Sequence, residues 1–250
     1  MSVVSVRQPS VLGTVAHELR GPLSALQITS ELLDRDYDVL EPQQVKTMIS
    51  SIHRRALWLR GLMENLLTSA SISDGRLQVV KRPTDLRTVV QDVRPVVEPL
   101  LARTQQRLRI RSRSALPLVV GDERRLAQVL INLVTNASKY SGIKTTIDLT
   151  IGVRAGQVRV TVADRGPGIA AEQAKRVFEP YYRGGRTDGD GVGIGLSVVH
   201  SIIEAHGGRV GVKNRAAGGA CFWFELAALE SLTSSPSGNS ETHDDERRIG

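Results

Sequence analysis

The stretch Val15-Ala16-His17-Glu18-Leu19-Arg20-Gly21-Pro22-Leu23 decides how the chain is read. Apolar residues Leu12, Val15, Leu19, Pro22 and Leu26 alternate spacings of three and four, the signature of a helix with one face in a coiled-coil or bundle seam. With Leu12 at heptad position a and Val15 at d, His17 falls at f, pointing furthest from the seam. Its imidazole is then outward, with the Glu18 carboxylate beside it. A lone histidine on a helix surface carries no function by itself; the meaning of this one depends on residues far downstream.

Working outward, Ser10 is a candidate N-cap for a first helix running to about Leu33, and Pro22, which lacks a backbone donor, should kink it one turn after His17. Asp34 to Glu41 is polar and turn-like, and Pro42 suits the first turn of a second helix. There Val45, Ile49, Ile52, Ala56, Leu59, Met63, Leu66 and Ala70 step by four and three without interruption. Two long helices with sustained seams and a short connection predict an antiparallel hairpin. Alone it would leave apolar faces in water, so two hairpins should pair into a four-helix bundle, making residues 10–73 the dimerisation element of a homodimer.

Ser71-Ile72-Ser73-Asp74-Gly75 breaks the pattern, and the texture then changes to mixed helix and strand, an α+β chain overall. Residues 76–228 should form the second domain. The expected elements are a strand at Leu77–Lys81, a helix from Asp85 to about Arg103 that Pro95 and Pro99 should kink or end early, and strands at Arg107–Arg113 and Val119–Val120. A helix capped by Asp122 follows and runs to Tyr140. Beyond it come a hairpin of Lys144–Val153 and Gln157–Asp164, a glycine-rich lid over Pro180–Gly191, a helix from about Gly193 to His206, and closing strands at Arg209–Lys213 and Ala220–Leu226. The tail, 229–250, is Ser, Gly and charge without periodicity and is expected to be disordered.

Bulk properties bound the function. The 250 residues hold 40% hydrophobic and 24% charged side chains, as a soluble globular protein does, and aromatics at 4% imply an aliphatic core. Lys+Arg 33 against Asp+Glu 26 gives +7, which suits a nucleotide phosphate, a polyanion or an acidic protein surface without choosing among them. No nucleic-acid recognition motif accompanies the charge, and the dense run Arg107–Arg113 alternates like one solvated sheet face. One cysteine, Cys221, excludes an internal disulfide. No run approaches the ~18 apolar residues of a membrane span, and no signal-peptide core is present, so a cytoplasmic location without membrane insertion is expected.

Three separated segments carry chemistry-like residues. In Asn132-Leu133-Val134-Thr135-Asn136-Ala137-Ser138-Lys139-Tyr140, Asn132, Asn136 and Lys139 share one helix face, where two carboxamides and an ammonium could hold a hydrated Mg²⁺ and a phosphate; a plain polar face is the alternative. In Asp164-Arg165-Gly166-Pro167-Gly168-Ile169, an aspartate at a strand end could accept from an exocyclic amine, while Gly166 and Gly168 let a base approach; an ordinary turn has the same composition. In Gly191-Val192-Gly193-Ile194-Gly195-Leu196, glycines opening a helix expose amides to a phosphate, but neither a dinucleotide-fold G-x-G-x-x-G after a strand nor a P-loop G-K-[ST] is present.

In this order, the three segments resemble the N, G1 and G2 boxes of sensor histidine kinases, whose ATP-binding domain is the Bergerat-type α/β two-layer sandwich. Phe178-Glu179-Pro180-Tyr181-Tyr182-Arg183 resembles the F box, and His17 to Pro22 the H box, H-E-L-R-x-P. The likeness covers about residues 10–227. The resemblance implies that His17 attacks the γ-phosphate of ATP as a neutral imidazole, with Glu18 orienting it or taking its proton. It implies Asn136 as Mg²⁺ ligand with Asn132 assisting, Lys139 neutralising phosphate charge, and Tyr140 packing near the adenine. Asp164 would read the adenine amine, with room made by Gly166 and Gly168. Gly191, Gly193, Gly195 and Leu196, with Arg183 or Arg186 from the lid, would hold the triphosphate. The phosphoryl group would pass to an aspartate of a response-regulator receiver domain. Histidines 53, 200, 206 and 243 match no H box.

Two departures stand out. Gly21 occupies a place where many members carry Thr or Asn to position a water, which implies weak phosphatase activity toward the regulator. Ala220 follows Gly218-Gly219 where a hydroxyl residue is frequent, which puts one nucleotide-pocket hydrogen bond in doubt. Only a short segment precedes His17, so the input is expected from a separate sensor protein or from a longer chain of which this is a fragment. A catalytically silent scaffold that binds a regulator or another kinase is the alternative function, disfavoured by the intact His17, Asn136 and Asp164. A serine kinase or gyrase-like ATPase sharing the ATP fold is disfavoured by the N-terminal hairpin.

Overall fold

The structure, a computed structural model, describes residues 11–113, 115–184 and 192–229. Helix α1 (Val11–Asp36) carries Pro22 within it and ends three residues later than expected, and the short connection to α2 (Pro42–Ser73) contains a 3-10 turn at Tyr37–Val39. Glu41 closes a capping box with Gln44 at the start of α2: its side chain accepts from the Gln44 amide and the Gln44 side chain accepts from the Glu41 amide, while Pro42, at the first helical position, has no amide to satisfy. The two helices pack as a hairpin.

The expected strand at Leu77–Lys81 does not form; pairing begins later, at β1 (Arg82–Thr84), antiparallel to β3 (Val119–Gly121). The Val80 amide instead donates to the Asp122 carboxylate at 3.0 Å, drawing this segment onto a helix cap rather than a ladder. Helix α3 (Leu86–Ala102) starts on Asp85, whose side chain accepts from the Arg87 amide, and does not end early at Pro95 or Pro99. Both prolines lie on its exposed face, where water reaches the carbonyls they leave unpaired. Val89, Val90, Val93, Val97 and Leu101 bury the opposite face.

The main sheet has the order β2-β4-β5-β7-β6, from Arg107–Ser112, Thr146–Arg154, Gln157–Ala163, Ala220–Ala227 and Arg209–Asn214. Only β2 and β4 run parallel. Ala155 and Gly156, both at positive φ, turn the β4–β5 hairpin. Alternation along the strands puts Ile147, Leu149, Ile151, Val158, Val160, Val162, Phe222, Phe224 and Leu226 into one core under α3, α4 (Glu123–Tyr140) and α6 (Gly195–Ala205). Burial of a side chain such as Phe224 contributes about 2–3 kcal/mol. The one-turn helix α5 (Ala171–Ala174) sits between the 164–169 loop and the F-box segment. On the far sheet face Glu225 is buried between Arg159, at 2.6 Å, and Arg209, at 3.4 Å, while Arg159 stacks on Trp223. The expected disordered tail lies, from residue 230 on, outside the described residues, as do residues 185–191 of the lid.

The hairpin touches this core. Val15 of α1 and Leu62 and Leu66 of α2 pack against the same hydrophobic cluster. Thr68 is the one buried residue of α2.

Candidate nucleotide site

Helix α4 is the spine of the site. Asp122 caps its start, accepting from the Arg125 amide, and at its far end the buried Gln106 donates to the carbonyls of Ser138 and Gly142 and accepts from the Ser138 hydroxyl. Both termini are thus fixed by side chains outside the helix. Gln106 was invisible as a site residue in the sequence, because a glutamine before a strand carries no pattern.

On the face predicted to bind nucleotide, Asn136 is half-buried and its carboxamide bonds to no other described residue. Lys139 is exposed, its ammonium 5.4 Å from the Tyr140 ring centroid. Asn132, one turn below Asn136, is only 9% exposed and donates to the Gly195 carbonyl at 3.3 Å, which joins α4 to the start of α6. A Cβ at Gly195 would lie 3.8 Å from the Asn132 Cγ, an ordinary contact distance. Val192 and Ile194 anchor the glycine-rich run in the core, so Gly193 and Gly195 alternate with buried residues. Gly193 has φ +77, and a Cβ there would meet the Tyr181 carbonyl carbon at 2.9 Å, so only glycine fits beneath the F-box segment. Tyr181 donates its amide to the Gly193 carbonyl. Leu196 and Arg183 are half-buried.

The other wall is the loop after β5. Asp164 is 2% exposed; its Oδ1 accepts from the amides of Gly166, at 2.8 Å, and Ala220, at 3.0 Å. Its second oxygen, Oδ2, is bonded to no other described residue and is free to accept. The amide of Ala220 therefore holds the carboxylate where a hydroxyl side chain is missing. Arg215 donates to the Asp164 carbonyl, and Asn214 pairs with both backbone groups of Ile169, pinning the loop beside Gly168. Neither residue stood out in the sequence. The space beside Gly166 is filled by the chain itself, since a Cβ there would lie 2.5 Å from the Tyr140 carbonyl oxygen. That contact brings the end of α4 onto the loop. Nearby, burial alone would raise the Asp148 pKa, but Arg109, Arg165 and Arg215 hold it below the usual carboxylate range.

His17 and Glu18 lie on α1, with side chains outside the described set; Arg186 and Gly191 lie wholly outside it. Of the remaining predicted residues, α4 brings Asn132, Asn136, Lys139 and Tyr140 together with Gly195 on one side and Gly166 on the other. A hydrated Mg²⁺ fits this chemistry, because it needs few protein oxygens and Asn136 offers an unengaged one. Among the described residues no cluster of three acidic, His or Cys ligands competes for that role.

A one-sided antiparallel-rich sheet under three helices, with a carboxylate at a strand end facing a carboxamide helix, defines an ATPase-type nucleotide fold. Residues 121–230 match the family described as "Histidine kinase-, DNA gyrase B-, and HSP90-like ATPase", and residues 10–75 match "His Kinase A (phospho-acceptor) domain". With both in one chain, the protein belongs to the sensor histidine kinases. It is 38% identical over 226 residues to the adaptive-response sensory kinase SasA of Parasynechococcus marenigrum (strain WH8102), covering 88% of this chain and 56% of that protein. The Acinetobacter baumannii histidine kinase AdeS superposes with a TM-score of 0.59 at 26% identity, over 85% of this chain and 98% of that one. The histidine kinase ThkA, solved in complex with the response regulator protein TrrA, superposes with a TM-score of 0.58 at 25% identity, over 86% of this chain and 60% of that one. The chain spans between 24% and 59% of the length of curated relatives it matches. Among the described residues no helix is long and apolar enough to cross a membrane.

Proposed function

We propose that the chain is an ATP-dependent protein histidine kinase that phosphorylates its own His17 and passes the group to an aspartate of a response-regulator receiver domain. The observation that carries the reading is the unengaged carboxylate oxygen on buried Asp164 together with the unengaged carboxamide on Asn136, the loop of the first packing on the end of the helix that bears the second. The first is an acceptor for the adenine amine and the second an oxygen for a hydrated cation. Asn136, assisted by Asn132, holds Mg²⁺, which on binding supplies charge neutralisation for the phosphates. Lys139 adds a positive charge. The turn at Gly193 and Gly195, with Gly191, Leu196, Arg183 and Arg186, surrounds the triphosphate. The neutral imidazole of His17 attacks the γ-phosphorus, ADP leaves, and Glu18 orients the ring or takes its proton.

Residues 10–73 act as the phosphoacceptor and dimerisation unit and 76–228 as the catalytic unit. Along the α2 seam Val45, Ile52, Leu59 and Leu66 are half-buried within the chain, whereas Ile49, Ala56, Met63 and Ala70 are exposed. Ile49 is 53% and Met63 58% exposed, which supports a second copy covering that stripe. The ThkA complex supports a response regulator as acceptor, and a cytoplasmic location for the pair is part of the proposal. The input comes from a separate sensor or from further sequence. Gly21 has no side chain to position a hydrolytic water, so phosphatase activity is weak; nothing lies within 4 Å of a Cβ there, so Gly21→Thr fits and should speed dephosphorylation of the regulator.

The test is incubation with γ-labelled ATP and Mg²⁺. The expected product is an acid-labile, base-stable label that His17→Gln abolishes. A wild-type chain that takes up no label, or a His17→Gln chain that still does, overturns the reading.

A further inference from the structure

The polar stripe of α4 is longer than the nucleotide reading uses. Arg125, Gln128, Asn132, Asn136 and Lys139 succeed one another along one face, and the N-terminal half of that stripe is covered by α2 of the hairpin. Asn65 Nδ2 donates to Asn132 Oδ1 at 3.0 Å, and Asn132 Nδ2 donates back to Asn65 Oδ1 at 3.0 Å, a reciprocal carboxamide pair. Gln128 donates to the same Asn65 oxygen at 3.1 Å and to the Thr68 hydroxyl at 3.2 Å. Arg125 donates to that hydroxyl at 3.0 Å. Thr68 is 3% exposed, although it sits on a helix whose other residues all remain at least partly in water. Leu62 and Leu66 flank the polar contacts and rest on the catalytic core, and α2 also packs against α6.

A carboxamide has one oxygen and two N–H groups. In Asn132 both N–H groups are engaged, by Asn65 Oδ1 and the Gly195 carbonyl, and the oxygen faces an N–H of Asn65. The oxygen has two lone-pair sites, of which Asn65 takes one, and the reciprocal pair together with the Gly195 carbonyl fixes the direction in which the other points. Asn132 cannot turn its oxygen to a nucleotide-bound cation while Asn65 holds it.

We propose that Asn65 and the Mg²⁺-nucleotide compete for the Asn132 carboxamide, so that docking of the hairpin helix on the catalytic domain and full engagement of nucleotide exclude one another. The proposal rests on the reading of the α4 face as the nucleotide site and adds its regulation. Nucleotide binding releases α2, and anything that strengthens the α2 contact, such as a rotation of α2 imposed from outside the described residues, lowers nucleotide affinity. Because the competent fraction of the protein divides the intrinsic dissociation constant, removing two to three hydrogen bonds at the weak end of the ordinary net range shifts apparent affinity by about tenfold.

The experiment titrates the full chain with a non-hydrolysable ATP analogue and Mg²⁺ by calorimetry, and follows amide hydrogen exchange over residues 61–70. Asn65→Ala should bind the analogue about tenfold more tightly than wild type. Thr68→Val, which keeps side-chain shape and leaves Asn132 untouched, should bind it about two- to threefold more tightly. In the wild type the analogue should speed exchange over 61–70, and in Asn65→Ala that exchange should already be fast without it. Equal or weaker binding by both variants overturns the competition, a loss of affinity in Asn65→Ala marking Asn65 as a nucleotide ligand instead. Unchanged exchange on saturating the wild type overturns it equally. A wild type that binds no analogue at all overturns the nucleotide reading itself, an outcome distinct from these. Should Asn65→Ala fail to fold, Thr68→Val and the exchange measurement decide.

Discussion

Replacing Asp164 by Asn tests the base-reading half of the site with little disturbance to the fold. The carboxamide oxygen can take the place of Oδ1 and keep the amide bonds from Gly166 and Ala220, so the loop stays tied and the unfolding midpoint should move by only a few degrees. The amide nitrogen then replaces Oδ2 and points two hydrogens toward a purine 6-amino group that needs an acceptor. A hydrogen bond to a charged acceptor is worth about 1.5–3 kcal/mol, and a donor left facing a donor keeps its full desolvation cost. Binding of an ATP analogue should therefore weaken by about 10- to 150-fold. Inosine triphosphate offers a sharper comparison, because its 6-oxygen is an acceptor. The wild-type carboxylate repels that oxygen, so ATP should be preferred by about two orders of magnitude. The Asn side chain can donate to it, so the preference should collapse or reverse. Calorimetric titration of both proteins with both nucleotides gives the four constants needed. If Asp164→Asn keeps the affinity for ATP and the same ATP-to-inosine-triphosphate ratio, Asp164 does not read the base.

Three further outcomes follow from the packing. Gly166→Ala places a methyl 2.5 Å from the Tyr140 carbonyl oxygen and should cost about 1–3 kcal/mol, read as a lower urea midpoint at constant slope; an unchanged midpoint would refute the contact. Burial lowers the pKa of His206, whose Nδ1 donates to the Ile202 carbonyl at 2.7 Å while Nε2 accepts from the Asp122 amide at 2.9 Å; nearby Asp122 opposes the shift and Lys81 adds to it. Since the folded pKa lies below the unfolded one, the neutral ring stabilises fully above about pH 6.5 and that stability fades as pH falls toward 5, by at most about 1.4 kcal/mol per pH unit. Denaturation between pH 7.5 and 5 should show this slope, and a His206→Gln chain should lack it; equal slopes would sink the assignment. Ile49→Glu with Met63→Glu puts charges on the exposed α2 stripe, and light scattering should report a monomer where the wild type is a dimer, with a dimer persisting at micromolar concentration as the contrary result.

What the sequence disclosed, it disclosed through periodicity and through residue types that tolerate no substitute. The α2 seam gave the hairpin because eight positions kept step, and Asp85 and Asp122 gave helix starts because an acceptor is needed there. It misled where local rules met tertiary context. Pro95 and Pro99 looked like helix breakers, yet their spacing of four puts both on the watered side of α3 while valines hold the other. Leu77–Lys81 had a strand's composition but no neighbour to pair with. The site split in the same way. Asp164, Asn132 and Asn136 stood out in the sequence through their places at a strand end and along one helix face. Gln106, Asn214 and Arg215 did not, because each acts on a backbone distant in sequence. Asn65 is the instructive case. It occupies a polar slot between seam residues, where any hydrophilic side chain would satisfy the hairpin, so nothing in the pattern of α2 distinguishes it. Only the juxtaposition with Asn132, 67 residues away, gives it a role. A signalling helix must keep its dimer seam while its outer face answers to another domain. The residues that couple the two therefore fall where a periodic pattern imposes no constraint, and a three-dimensional structure is needed to find them.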